Sequence, residues 1–93
     1  MSILSFKCSE TEQLFNGDRV RTFVNFESVA MRKLAMLNRA GKLDDLRIPP
    51  GNRLEVLKGN RSGQFSIRIN DQYRICFTWT ANGPEEVEIV DYH

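Results

Sequence analysis

Apolar residues recur along this chain at two different periods, and the change from one to the other falls at Asn52. From Asn25 to Ala40 they stand at Phe26, Val29, Ala30, Leu34 and Leu37, the three- and four-residue spacing of a helix that buries one stripe. This is the principal helix. Gly41 supplies its stop, and Arg32, Lys33 and Arg39 decorate it as a basic surface. Ahead of it, Ile3 to Cys8 reads as a short opening strand. Ser9 then offers an N-cap, with Glu12 at capping-box spacing and Leu14-Phe15 before Gly17, for one short helix. Leu43 to Leu46 adds a turn of helix, and Pro49-Pro50-Gly51-Asn52 breaks the helical half.

After Asn52 the period drops to two. Leu54 and Val56 flank Glu55; Phe65, Ile67 and Ile69 alternate with Ser66 and Arg68; Tyr73, Ile75, Phe77 and Trp79 alternate with Arg74, Cys76 and Thr78. Three strands are predicted there, with turns at Gly59 to Gly63 and Asn70 to Gln72. Ala81-Asn82-Gly83-Pro84 turns the chain again, and Val87 to His93 makes a last strand. Helices first and an antiparallel meander second is the pattern of an α+β fold, with a short N-terminal strand and helices packed on a twisted antiparallel sheet. No internal repeat or low-complexity segment interrupts it, so residues 1–93 are expected to form a single domain.

The alternation also fixes a register. An odd-length loop at Asn70 to Gln72 pairs Ile69 with Tyr73, Ile67 with Ile75, and Arg68 with Arg74. An even loop would turn the arginines into the core, because a one-residue slip reverses every side chain. Two arginines are therefore expected on the exposed face. Like charges directly opposed cost ~0.2–1 kcal/mol, so the pair invites an anion, or else neutralisation by Glu55 or Glu88.

Charge sharpens this picture where composition does not. The 93 residues are 41% hydrophobic and 27% charged, ordinary globular values, and the formal net charge is only +1. That balance hides a net +3 over residues 53–84 and a net −4 over residues 85–93. A basic middle before an acidic end attracts an anionic ligand while keeping general affinity for polyanions modest. No stretch approaches the ~20 apolar residues of a membrane helix, and the opening apolar run is too short for a signal segment. A soluble, cytoplasmic protein with no membrane partner is expected. Cys8 and Cys76 sit apart with no metal-ligand spacing around them, and are expected to be reduced thiols.

The tail Asp91-Tyr92-His93 carries the only histidine. In an extended strand Asp91 and His93 share a side, where a carboxylate orients an imidazole whose ordinary pKa of ~6.5 suits proton transfer at neutral pH. A frayed terminus without a role is the alternative reading. No P-loop, nucleophile elbow, paired CxxC, EF-hand loop or HExxH motif is present, and neither a metal nor a cofactor is expected.

The run Pro49 to Glu55, then Leu57-Lys58-Gly59, Ser66-Ile67-Arg68-Ile69-Asn70, Tyr73-Arg74-Ile75 and the closing Val87 to His93 resembles the HigB family of bacterial toxins, within the RelE/ParE superfamily. The likeness spans the principal helix to the C-terminus. It implies a RelE-like α+β toxin that cleaves mRNA in the ribosomal A site and is neutralised by a HigA-like helix-turn-helix antitoxin. Operator DNA would be met only through that antitoxin. By the same likeness the catalytic set falls on Lys58, Asp91, Tyr92 and His93, with Arg68 and Arg74 facing the RNA phosphate; Glu55 is a further catalytic candidate and Arg61 a further phosphate-binding one. Some family members carry a histidine where this chain has Glu55; a carboxylate can also serve as a general base. The implied chemistry needs no metal. The 2′-hydroxyl of RNA attacks the adjacent phosphate, Glu55 or His93 removes its proton, and His93 or Tyr92 protonates the leaving oxygen. Two other classes stay open, a gyrase-poisoning toxin of the ParE branch and a binding module without catalysis.

Overall fold

The structure, a computed structural model, describes residues 2–92. Two helices, α1 (Ser9–Phe15) and α2 (Glu27–Arg39), precede a four-stranded antiparallel meander in the order β1 (Glu55–Val56), β2 (Phe65–Arg68), β3 (Tyr73–Thr80) and β4 (Gly83–Asp91). The α+β class expected from the two periods is the observed one. The helices cover one face of the sheet, where Ala30, Leu34 and Leu37 of α2 meet Ile67, Ile75, Phe77, Val87 and Ile89. Burial of a large aliphatic or aromatic side chain contributes ~1.5–3 kcal/mol, so this face carries the fold. Among the described residues, no helix is long and apolar enough to cross a membrane.

Several local expectations are corrected. The opening segment makes a single parallel bridge, Phe6 to Val87, in place of a strand. It nevertheless closes the outer edge of β4: Leu4 N donates to Pro84 O at 2.8 Å, Val87 N to Ser5 O at 3.1 Å and Lys7 N to Val87 O at 3.0 Å. The chain passes from that edge straight into α1, so Cys8 and not Ser9 holds the N-cap position, and no side chain caps it. Thr11, fully buried, continues the edge by accepting Ile89 N at 3.0 Å. A 3₁₀ turn (Arg21–Phe26) takes the first residues expected in the principal helix. That helix ends at Ala40, already extended at φ −60° and ψ 130°, and Gly41 contributes an amide that donates to Asp45 Oδ2 at 2.9 Å. Lys33 is not part of a basic surface: it is 6% exposed and packs inward beside Leu34 and Leu37.

The last strand begins at Gly83, four residues before the expected Val87, and the hairpin closes through Ala81 and Asn82. Pro84 and Val87 are both buried, three residues apart, which strict alternation forbids. A bulge resolves the conflict. The register shifts between Cys76 and Thr78, and Glu86 takes a left-handed φ of 55°, so one extra residue in β4 returns Val87 to the helix-facing side.

Candidate functional site

The same alternation that buries Ile67 and Ile75 lays a polar row across the opposite face. Glu55 pairs with Ser66, Ser66 with Cys76, and Cys76 with Glu88, one residue from each of the four strands. The next row along pairs Arg68 with Arg74 and Arg74 with Val90, the register expected from the odd loop. Asn70 fixes that loop, its Oδ1 accepting the amides of Gln72 and Tyr73, each at 2.8 Å.

The two opposed arginines have different fates. Arg68 remains partly exposed and pairs with Asp71 of the loop. Arg74 is 8% exposed and lies down along the row. Its Nε donates to Ser66 Oγ at 2.7 Å and its Nη2 to the carbonyl of Arg53 at 2.6 Å. Neither expected neutraliser is involved. Glu55 is exposed at the β1 edge, and Glu88 is taken by Arg61, whose Nη1 donates to its Oε1 at 2.9 Å. Arg61 stands in the 3₁₀ turn Gly59–Arg61, directly after Lys58, and Gln64 holds the same nitrogen at 3.1 Å. The hydrogen bond to Glu88 raises the Arg61 pKa, against the opposing effect of burial.

Beneath these side chains Ser66 and Cys76 are closed off from solvent. Burial pushes the Cys76 thiol up, against the pull of Arg61 and Arg74. It is a packed thiol and a poor nucleophile.

The tail is divided between the two faces. Asp91 pairs with Tyr73 on the helix-facing side, where Gln72 Nε2 donates to its Oδ2 at 3.0 Å. Tyr92 continues the alternation of Glu88 and Val90 and falls on the polar face, tied by its amide to Gln72 O at 2.6 Å. His93 lies outside the described residues. Glu55, Arg61, Arg68, Arg74 and Tyr92 therefore share one face, Lys58 borders it as an exposed loop residue, and Asp91 stands behind it.

What this surface can do follows from its groups. Two guanidiniums held by fixed acceptors form a rigid cationic floor, suited to phosphoryl oxygens, and a carboxylate and a phenol flank it. The expectations had no place for Ser66 or the Arg53 carbonyl. Ser66 carried one signal, a small hydroxyl between two buried apolar positions in line with Glu55; a backbone carbonyl carried none. Among the described residues, no three His, Cys, Asp or Glu side chains gather as metal ligands would. A groove of about 410 Å³ on the helical layer, lined by Leu14, Asp18, Arg19, Glu27 and Met31 among others, includes none of the site residues.

Known proteins agree with this architecture. Over 78 residues the chain is 45% identical to the toxin HigB-1 of Vibrio cholerae serotype O1, covering 82% of each sequence. It is also 40% identical over 58 residues to an uncharacterized protein of Haemophilus influenzae, covering 62% of this chain and 57% of that one. In fold it is similar to the YoeB–YefM complex from Staphylococcus aureus, with a TM-score of 0.58 at 18% identity, over 100% of this chain and 99% of that one. The model of the HigB-like toxin family, described as the RelE-like toxin of type II toxin-antitoxin system HigB, matches residues 4–93. With nearly its whole length matched, the chain belongs to the HigB-like toxin family of type II toxin-antitoxin systems, within the RelE superfamily.

Proposed function

We propose that this toxin is a single-domain, cytoplasmic endoribonuclease that cuts mRNA in the ribosomal A site and is restrained by a HigA-like helix-turn-helix antitoxin, through which alone it meets operator DNA. The observation that carries the reading is the polar face, where Arg61 and Arg74 are held by Glu88, Ser66 and the Arg53 carbonyl beside Glu55 and Tyr92. RNA brings its own nucleophile, the 2′-hydroxyl. Glu55 or His93 takes its proton as the oxygen bonds to phosphorus. The bond from phosphorus to the 5′-oxygen then breaks, and Tyr92 or His93 protonates the departing oxygen. Lys58, Arg61, Arg68 and Arg74 stabilise the charge that builds on the phosphoryl oxygens. Asp91, held by Gln72 behind this face, acts only indirectly, by anchoring the end of the chain that carries His93. No metal or cofactor enters, and the products are a 2′,3′-cyclic phosphate and a 5′-hydroxyl.

Dependence on the ribosome follows from charge. A chain of net charge +1 neutralises few phosphates by itself, and non-specific RNA affinity grows with that number. Purified toxin should cut message on programmed ribosomes, leave the naked message intact, and leave an otherwise identical message intact when its 2′-hydroxyl at the cut site is replaced by hydrogen. Equal cutting of naked RNA would remove the ribosome from the proposal. Growth inhibition with no new mRNA ends would point to a gyrase poison or a binding module.

A further inference from the structure

Lys33 is the oddest charge in the molecule. It sits on the buried stripe of α2, and its ammonium donates to the side-chain oxygen of Asn52, itself fully buried. Among the described residues the ion pairs are Arg47 with Asp44, Arg61 with Glu88 and Arg68 with Asp71, and none involves Lys33. Burial lowers its pKa, and the charged groups that act on it, Arg32 and Arg68, are cations that lower it further. Burying an ammonium against a neutral amide is costly, and an apolar side chain of similar length would fit a helix stripe with less penalty.

The hydrogen bonds of Asn52 show where that cost is applied. Its Nδ2 donates to the carbonyl of Leu46 at 3.1 Å and to Met36 Sδ at 3.1 Å, with Ile48 O at 3.5 Å, so α2, the 3₁₀ turn Leu43–Arg47 and the approach to β1 converge on one side chain. The next residue, Arg53, holds a left-handed backbone at φ 47° and ψ 56°, unusual for a residue with a Cβ. Its carbonyl is the one that accepts Arg74 Nη2.

We propose that Lys33 and Asn52 are positioning residues, a buried strut that fixes the left-handed turn at Arg53 and through its carbonyl aims the Arg74 guanidinium on the polar face. The functional consequence rests on Arg74 facing RNA phosphate; the geometric claim does not. Lys33 tethers Asn52, Asn52 locks the turn, and the turn presents the oxygen. The donor of the strut is then on the far side of the sheet from the group it serves.

The test reads Arg74 directly. In the full-length labelled toxin, hydrogen exchange of the Arg74 side-chain Nε–H is compared between wild type and Lys33→Met, which keeps the length of the side chain and removes the donor. We expect exchange at Arg74 to accelerate about tenfold or more while the backbone amides of Ile67 and Ile75 keep their protection. Lys33→Gln, which retains a donor, should restore much of the difference. Asn52→Ser serves where Lys33→Met does not fold, and should show the same local loss. On ribosomes the Lys33→Met variant should lower kcat with little change in KM, and its effect should be absent in an Arg74→Met background. Unchanged exchange at Arg74, or a uniform acceleration across the sheet, would overturn the strut. Cleavage missing from the wild type, with the exchange result intact, would sink the nuclease reading and leave the strut standing.

Discussion

The two faces of β2 and β3 are both shut to solvent, by opposite means. On the helix side Ile67, Ile75 and Phe77 are sealed inside an apolar cluster that includes Ala30, Leu34 and Leu37 of α2. On the other side Ser66 and Cys76 are sealed by arginine side chains lying over them, each tied by hydrogen bonds. Apolar contacts are tolerant of direction, whereas a guanidinium bonded to a hydroxyl and a carbonyl has one geometry. The first face supplies stability and the second supplies aim. A sheet that buries both sides of its central strands can anchor a cationic site, here Arg74 from β3 and Arg61 from the adjoining 3₁₀ turn.

The strongest way to break this comparison is to cut into the apolar side. Phe77→Ala should cost ~3–5 kcal/mol, since the ring is fully buried and its neighbours cannot collapse into the space. Denaturant titration checks it. A loss near 1 kcal/mol would mean the helical layer is loosely packed and the contrast between the faces is overstated.

The polar side should answer more weakly in stability. Ser66→Ala removes the acceptor for Arg74 Nε and leaves a buried charge-assisted donor unmet, at a cost of ~1–3 kcal/mol. Cleavage on ribosomes should fall further than that loss of folding explains, because the guanidinium would no longer be held. Wild-type cleavage by a folded Ser66→Ala protein would assign Ser66 to packing alone.

These two faces also differ in how plainly the chain announced them. The helix-facing stripe and the pairing of Arg68 with Arg74 follow from period and parity, because a single register satisfies seven apolar side chains from Phe65 to Trp79 at once. The bulge at Glu86 is not legible, because Ala81 to Pro84 reads as a turn and the last strand then starts at Val87, past the residue that bulges. The depth of Arg74 escaped for a different reason. An arginine on the non-core face reads as exposed unless its acceptors are known, and one of them is the carbonyl of Arg53, twenty-one positions away and invisible to side-chain pattern. Lys33 reads as a surface residue by the same logic, since helical spacing allows it inward but its charge argues outward, and the structure buries it. The division of Asp91 from Tyr92 was legible, as neighbours in a strand must face apart.

A smaller effect on folding should come from the rim of the polar face. Arg61 and Glu88 keep 30% and 15% of their side-chain surface exposed, so solvent screens the pair. Glu88→Gln should change stability by less than ~1 kcal/mol, within the range of partly exposed ion pairs. Its value for the comparison lies in the charge it removes. With its carboxylate gone, Arg61 keeps Gln64 as an acceptor and loses the partner that raises its pKa. Cleavage should drop through a less ordered guanidinium, while thermal midpoints barely move. A large loss of stability would show that Glu88 belongs to the closure of Cys76 more than to the aim of Arg61.

The smallest effect is a dependence on pH that separates the buried cation of the helix side from the cations of the polar side. Burial, with Arg32 and Arg68 nearby, holds the Lys33 pKa below the usual lysine range in the folded chain. The unfolded chain titrates near the ordinary ~10.4. Between the lowered folded value and that ordinary one, the unfolded state binds more protons than the folded state, so stability rises with pH across that window. Below the window Lys33 is charged in both states and its full burial penalty is present. The wild type should therefore gain on Lys33→Met as pH climbs from neutral toward 10, and titration of Cys76, common to both proteins, cancels in the difference. Chemical denaturation of the pair at several pH values measures it. A difference that stays flat, or that turns in favour of Lys33→Met as pH rises, would mean that the ammonium is well solvated in the fold and that Asn52 is held by its carbonyl partners alone.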